Sequence, residues 1–168
     1  MLRLAERTIS MIHRAGLSVS IVSSDPAVTA WGAAHVEHVV PEPSVGGLDA
    51  AALAGVSTVP GPWIVVHADL PTLTSEDVAV AARLANCTTV IAPSRDGGTS
   101  LIGSNVGPQS FSYGPGSFRR HLSATCGRAT ILVRLGLALD LDRPWDLTAL
   151  DRLGHVFGET AEIAPRDL

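Results

Sequence analysis

Two sets of residues in this 168-residue chain have the types and spacing that phosphate chemistry needs. The first set is acidic. The stretch WIVVHADLPTLT (63–74) delivers Asp69 to the carboxyl end of an apolar run, and Pro71 ends that run. The stretch LALDLD (137–142) sets Asp140 and Asp142 two apart, so an extended backbone places both carboxylates on one side. Like charges on one face repel unless a cation or a cluster of N–H groups neutralises them. Each feature also has a plainer reading: Asp69 as a turn residue capping a nearby backbone N–H, and LALDLD as an exposed edge strand. Together, two acidic strand ends favour a shared Mg²⁺, which takes one or two carboxylates and completes its shell with water and phosphates.

The second set is glycine-rich. RDGGTS (95–100) and YGPGSF (113–118) contain Gly97, Gly98, Gly114 and Gly116. Such glycines let a backbone approach a ligand closely and aim N–H groups at it. Ser117 has the type and position of a helix N-cap, and the start of that helix favours an anion. Two ordinary glycine turns are the alternative. Arg95, Arg119 and Arg120 add positive charge nearby, although Arg119 and Arg120 can equally form a solvated helix face. The six histidines show no ligand spacing; His35 and His38 read as surface residues, and His67 can share the face of Asp69 or simply pack. Neither a GxSxG elbow nor a CxxC pair is present, which removes serine-hydrolase and structural-zinc readings.

These residues need a scaffold that brings strand ends together. Apolar, strand-like runs at 17–25, 35–40, 61–69 and 88–93 alternate with helical patterns at 26–34, 45–58 and 74–86. Thr74 and Asp77 stand at capping-box spacing before the last of these. The segment 95–105 reads as a tight turn followed by an extended run, 113–128 as glycines then a helix, 129–142 as extended, and 143–153 as a final helix. An amphipathic helix opens the chain. The expectation is one α/β domain over 1–168 with a mostly parallel, Rossmann-like sheet covered on both faces. Ligands of such sheets bind outside the carboxyl ends of the strands, where Asp25, Asp69, the 95–98 turn and the LDLD acids fall.

Composition narrows the function classes. Hydrophobic residues make up 46% and aromatics 4%, so the core is aliphatic. No apolar run reaches the ~18 residues of a membrane span, and no secretory signal is recognisable. Cys87 and Cys126 suit a reduced, cytoplasmic protein. A net charge of −4 argues against an electrostatic grip on nucleic acid. All 12 basic residues are arginine, so a lysine-dependent phosphate loop is excluded.

In that order and spacing, HADLP (67–71), RDGGTS (95–100), YGPGSF (113–118) and LALDLDRPWDL (137–147) resemble the 2-phospho-L-lactate/phosphoenolpyruvate guanylyltransferases of coenzyme F420 biosynthesis. GGLDAAALAG (46–55) is similar to that family's GGLNAA segment. The resemblance implies a nucleotide-diphospho-sugar-transferase-like fold. It implies transfer of GMP from GTP to the phosphate of 2-phospholactate or phosphoenolpyruvate, with release of pyrophosphate. Asp69 matches the metal-binding acid, and the LDLD segment supplies the second, Asp142 in preference to Asp140. Thr99, Gly114 and Ser117 match positions that hold the acceptor's phosphate and carboxylate, with Gly97 and Gly98 beside them. Gly46, Gly47 and Asp49 match the segment near the nucleotide, and Asp49 departs from the family's Asn.

Members of the family begin with a strand and a P-x-K…K-S-R-L loop that grips the nucleotide. This chain begins in the following helix, so a domain incomplete at its N-terminus is expected. Two further readings remain beside the enzyme: a non-catalytic remnant or phosphoenolpyruvate-binding domain, and a nucleotidyltransferase of the molybdenum-cofactor type.

Overall fold

The period-two alternation of the strands decides where the core lies. In a computed structural model describing residues 2–107 and 110–139, Val90, Ala92 and Leu101 face one side of a sheet, while Ile91 and Ile102 face the other. Both faces are covered, so both sets are buried. Twelve elements follow one another along the described chain. They are α1 (Leu2–Arg14), β1 (Ser20–Val22), α2 (Pro26–Gly32), β2 (His38–Val40), α3 (Gly47–Ser57), β3 (Trp63–Val66), α4 (Ser75–Ala85), β4 (Thr89–Pro93), β5 (Thr99–Ser104), α5 (Ser117–Ala124), β6 (Ala129–Ile131) and α6 (Leu135–Ala138).

The first face packs on α1 and α4 through Ile9, Ile12, Val78 and Ala81, and on Leu73 just before α4. The second meets α3 and an aromatic group built on Trp63 and Phe111. The α/β class expected from the sequence is present. The pairing is less parallel than expected. β1 and β2 form a parallel pair, as a crossover through α2 requires. In the larger sheet, ordered β3-β5-β4-β6, β5 runs antiparallel to both neighbours and only β4 and β6 are parallel. The reason lies in residues 94–98. A turn this short can only join antiparallel strands, and Gly97, with φ 85°, closes it.

One local signal holds as read and one changes its meaning. Thr74 and Asp77 form the reciprocal capping box of α4: Asp77 N–H donates to Thr74 Oγ1 at 3.1 Å, and Thr74 N–H to Asp77 Oδ2 at 3.0 Å. Asp25, read as a strand-end acid at the ligand position, instead caps α2, accepting from the N–H groups of Ala27 and Val28. The segment expected to be extended over 129–142 departs from that reading. It pairs only as β6, then coils into α6. A short apolar run carries no decisive period, and tertiary contact settles it. Arg134 Nε donates to Asp77 Oδ1 at 2.5 Å, and Leu137 is buried.

Gly136 sits against the same carboxylate. A Cβ there would meet Asp77 Oδ2 and would lie 2.9 Å from the Thr72 carbonyl oxygen. Gly136→Ala is therefore expected to cost about 1–3 kcal/mol, the usual range for forcing atoms into a packed site. Urea unfolding followed by circular dichroism checks this; an unchanged midpoint refutes the close packing.

Candidate active site

Asp69 follows the end of β3 by three residues. His67 N–H donates to the Ser100 carbonyl at 3.0 Å, which extends the pairing with β5 past the strand proper. Beyond it the chain turns, with Leu70 and Leu73 driven fully into the core on either side of Pro71. Helix α1 clamps this turn from outside. Arg7 Nη1 donates to the Leu73 carbonyl at 2.9 Å, and Thr8 Oγ1 to the Ala68 carbonyl at 3.3 Å. The Asp69 carboxylate is thus delivered on a short, doubly anchored loop. Its Oδ1 is buried and, among the described residues, has no hydrogen-bond partner. The turn-capping role would have given that oxygen a backbone N–H. Two further buried polar atoms are orphaned, His67 Nε2 and Tyr113 Oη, and the two rings lie 5.5 Å apart. Unpartnered buried polar atoms are costly. They are tolerated where a ligand completes them.

The 94–98 turn is self-sufficient. Ser94 Oγ donates to Asp96 Oδ1 at 2.5 Å and Gly98 N–H to the same oxygen at 2.8 Å, while Gly97 N–H reaches the Ser94 carbonyl at 3.1 Å. The N–H groups of Gly97 and Gly98 are therefore occupied, and these glycines shape the turn rather than cradle an anion with those groups. A Cβ on Gly98 would stand 2.6 Å from Ser94 Oγ.

Thr99, Gly114 and Ser117 do converge. Thr99 is 2% exposed and Ser117 1% exposed. Ser117 Oγ donates to Thr99 Oγ1 at 3.1 Å, and Ser117 N–H donates to the Gly114 carbonyl at 3.0 Å. Ser117 is the first residue of α5 rather than its N-cap, because Gly116, at φ 71°, takes the cap position that a left-handed backbone suits best. His121 completes the group: its Nδ1 lies 2.9 Å from Thr99 Oγ1, and Ser112 N–H donates to its Nε2 at 2.9 Å.

Arg120 has a role that its sequence position hid. Its guanidinium is not a loose surface charge. It donates to the carbonyls of Ser112 (2.9 Å), Tyr113 (2.8 Å), Gly114 (3.3 Å) and Pro115 (2.6 Å). A trans peptide holds C=O and N–H on opposite sides. Gathering these carbonyls onto one fork therefore turns the N–H groups of Gly114 and Gly116 away from Arg120. The Tyr113 N–H, turned the same way, donates to Asp49 Oδ1 at 2.6 Å. Asp49 lies in the first turn of α3, which the left-handed Gly46 and Gly47 introduce. The Gly46–Asp49 segment is thereby joined to the 112–117 loop.

Asp140 and Asp142 lie outside the described residues. The chain leading to them is placed, since Arg95 N–H donates to the Ala138 carbonyl at 2.9 Å. The last described residue, Leu139, thus stands beside the turn at the carboxyl end of β4. Among the described residues no group of three His, Cys, Asp or Glu side chains could hold a metal alone.

The arrangement combines a carboxylate that has one unpartnered buried oxygen with a dry cluster of hydroxyls beside a glycine loop. The profile of the family described as guanylyl transferase CofC like matches residues 4–155. The chain belongs to that family. Its nucleotidyltransferase class follows from that membership. It is also similar to the phosphoenolpyruvate guanylyltransferase of Rubrobacter xylanophilus, 34% identical over 172 residues that cover 92% of this chain and 81% of the relative. Solved structures share the fold. A nucleotide-diphospho-sugar transferase candidate from Desulfovibrio desulfuricans G20 superposes with a TM-score of 0.71 at 15% identity, covering 93% of this chain and 76% of that one. A hypothetical transferase from Thermus thermophilus gives 0.56 at 17% identity, covering 86% and 85%.

Sequence reasoning missed His121 and read Arg120 only as nearby positive charge or a solvated helix face. For His121 the signal was its spacing: it stands four residues after Ser117, on the same helix face. Burial holds its pKa below the ordinary 6.5, Asp49 pulls it back up, and Arg120 adds to the lowering. Burial, then the Asp49 charge, pushes the Tyr113 phenol up. With His121 depressed in the folded state, the unfolded chain binds the extra proton first as pH falls. Stability from this residue is thus present above 6.5 and lost as pH drops through the folded value. Between about pH 7 and about pH 5, His121→Gln is expected to flatten the fall of unfolding free energy with pH. Parallel slopes in urea titrations of the two proteins would contradict this.

Proposed function

We propose that this chain transfers the guanylyl group of GTP to the phosphate of phosphoenolpyruvate or 2-phospho-L-lactate, releasing pyrophosphate, in the cytoplasmic biosynthesis of coenzyme F420. The observation that carries this reading is one juxtaposition. Asp69, with its unpartnered buried Oδ1, lies two residues after His67, which pairs with Ser100, and the Thr99–Ser117–Gly114 cluster begins at the adjacent residue. An acid for a cation and a set of donors for an anion therefore share one strand end. The name of the Rubrobacter relative favours phosphoenolpyruvate as the acceptor.

Joining two phosphates needs charge neutralisation and an in-line approach rather than a covalent enzyme intermediate. An acceptor phosphate oxygen attacks the α-phosphorus of GTP, and the bond from that phosphorus to the pyrophosphate oxygen breaks. The acceptor oxygen is already ionised, so no general base is required. Thr99, Ser117 and the N–H groups turned away from Arg120 would hold the acceptor. The Gly46–Asp49 segment would lie by the nucleotide.

Asp69 fits a hard cation through its unpartnered buried oxygen, and Asp142 or Asp140 would be the second ligand. Mg²⁺, when bound, would neutralise phosphate charge and polarise the α-phosphate.

Pyrophosphate release by the purified chain tests the reading. It is expected only with GTP, acceptor and Mg²⁺ together, and EDTA is expected to abolish it. Release with an unrelated acceptor or with ATP alone would overturn it. Asp69→Asn is expected to lower kcat by about 100-fold or more, beyond what loss of an outer partner costs a metal site, with an unchanged melting temperature. Undiminished turnover removes Asp69 from the chemistry.

A further inference from the structure

We infer that His121 is a positioning residue: as the neutral tautomer protonated on Nδ1, it fixes the Thr99 hydroxyl so that the Thr99 proton is presented to an anionic oxygen of the acceptor. This rests on the reading of Thr99 and Ser117 as the acceptor site.

A proton count carries the argument. Ser112 N–H is a backbone donor and can only donate, so the His121 Nε2 it reaches at 2.9 Å must present a lone pair. A neutral imidazole with a lone pair on Nε2 carries its hydrogen on Nδ1. That nitrogen lies 2.9 Å from Thr99 Oγ1, so His121 donates to Thr99. Ser117 Oγ donates to the same oxygen at 3.1 Å. A hydroxyl has two lone pairs and one proton. Both lone pairs of Thr99 are now taken from inside the protein, and its proton must go to a third group. Among the described residues no further group accepts that proton. A ligand oxygen that bears lone pairs can.

The surroundings keep the imidazole in this state. Phe111 and Tyr113 meet its ring edge to face, at 6.4 and 5.1 Å. A proton added at Nε2 would set two donors against each other at Ser112. Asp49, the nearby carboxylate, is engaged by the Tyr113 N–H rather than by His121. The backbone donor thus selects the tautomer, the tautomer orients a hydroxyl, and the hydroxyl reads the substrate.

Two substitutions separate the halves of the relay. Asn at 121 keeps an N–H where Nδ1 stood and loses the acceptor for Ser112. Gln at 121 keeps an oxygen where Nε2 stood and loses the donor to Thr99. In the pyrophosphate-release assay, His121→Gln is expected to raise KM for phosphoenolpyruvate about 10-fold, with KM for GTP within about twofold. His121→Asn is expected to stay within about threefold of the parent on both.

Thr99→Val calibrates the experiment. If it leaves KM for phosphoenolpyruvate unchanged, the acceptor-site reading falls. If it raises that KM while His121→Gln does not, only the positioning inference falls. Equal losses in the Asn and Gln variants, or a matching rise in KM for GTP, make the role merely structural and overturn the inference. If either variant fails to fold, ¹⁵N NMR of the histidines in the unmodified protein decides. A proton on Nδ1 of His121 upholds the inference, and a proton on Nε2 overturns it.

Discussion

A hydroxyl at the first residue of β5 is sealed from bulk water, so its lone pairs must be met by the protein's own groups. Thr99 occupies that position. Ser117 reaches it from the first turn of α5 and His121 from the next turn, four residues on. Helix α5 must therefore turn one face toward the start of β5. The Phe118 N–H, bonded to the Gly97 carbonyl at 3.3 Å, fixes how far the helix can slide. Once α5 is set, Arg120 projects from it toward the preceding loop and collects that loop's carbonyls. The loop's remaining N–H direction then meets Asp49, and α3 is drawn into the same assembly. A single buried polar atom thus places two helices and a loop.

The acid at the end of β3 is held by a different logic. Among the described residues nothing polar completes Asp69 Oδ1, and the loop that carries it is held through its backbone. Leu70 and Leu73 are buried on one side, and two side chains of α1 bond the loop's carbonyls on the other. Rigid backbone with an unsatisfied head group is the arrangement expected of preorganised ligand contacts, where the stabilisation is deferred until the ligand arrives.

Features governed by neighbours along the chain were legible in the sequence. The Thr74–Asp77 capping box and the strand ending before Asp69 needed only local spacing. Features governed by contacts far along the chain were not. A glycine pair at 97–98 announces a turn, but whether its N–H groups serve a ligand depends on Asp96 and Ser94, which use them first. Ser117 has the type of an N-cap, yet Gly116 displaces it because the approach to α5 needs a left-handed residue. The parallel bias expected of the sheet failed at β5, where the shortness of the same turn forces reversal. His121 and Arg120 looked unremarkable because their partners lie in a loop whose shape they themselves create. Asp140 and Asp142, weighed equally with Asp69 on sequence grounds, fall outside the described residues.

Arg120 grips carbonyl oxygens, and every residue type supplies an identical carbonyl. The path of the 112–115 loop is therefore encoded largely by a side chain outside it, on α5. Side chains within the loop contribute little to that grip, apart from the glycine that a left-handed turn requires at 114. Shape and surface chemistry are in this way inherited separately. Substitutions at Ser112 or Tyr113 can alter what the loop offers a substrate without unmaking the loop, while replacing Arg120 would erase both together. A loop built in this way can change what it offers a ligand one residue at a time.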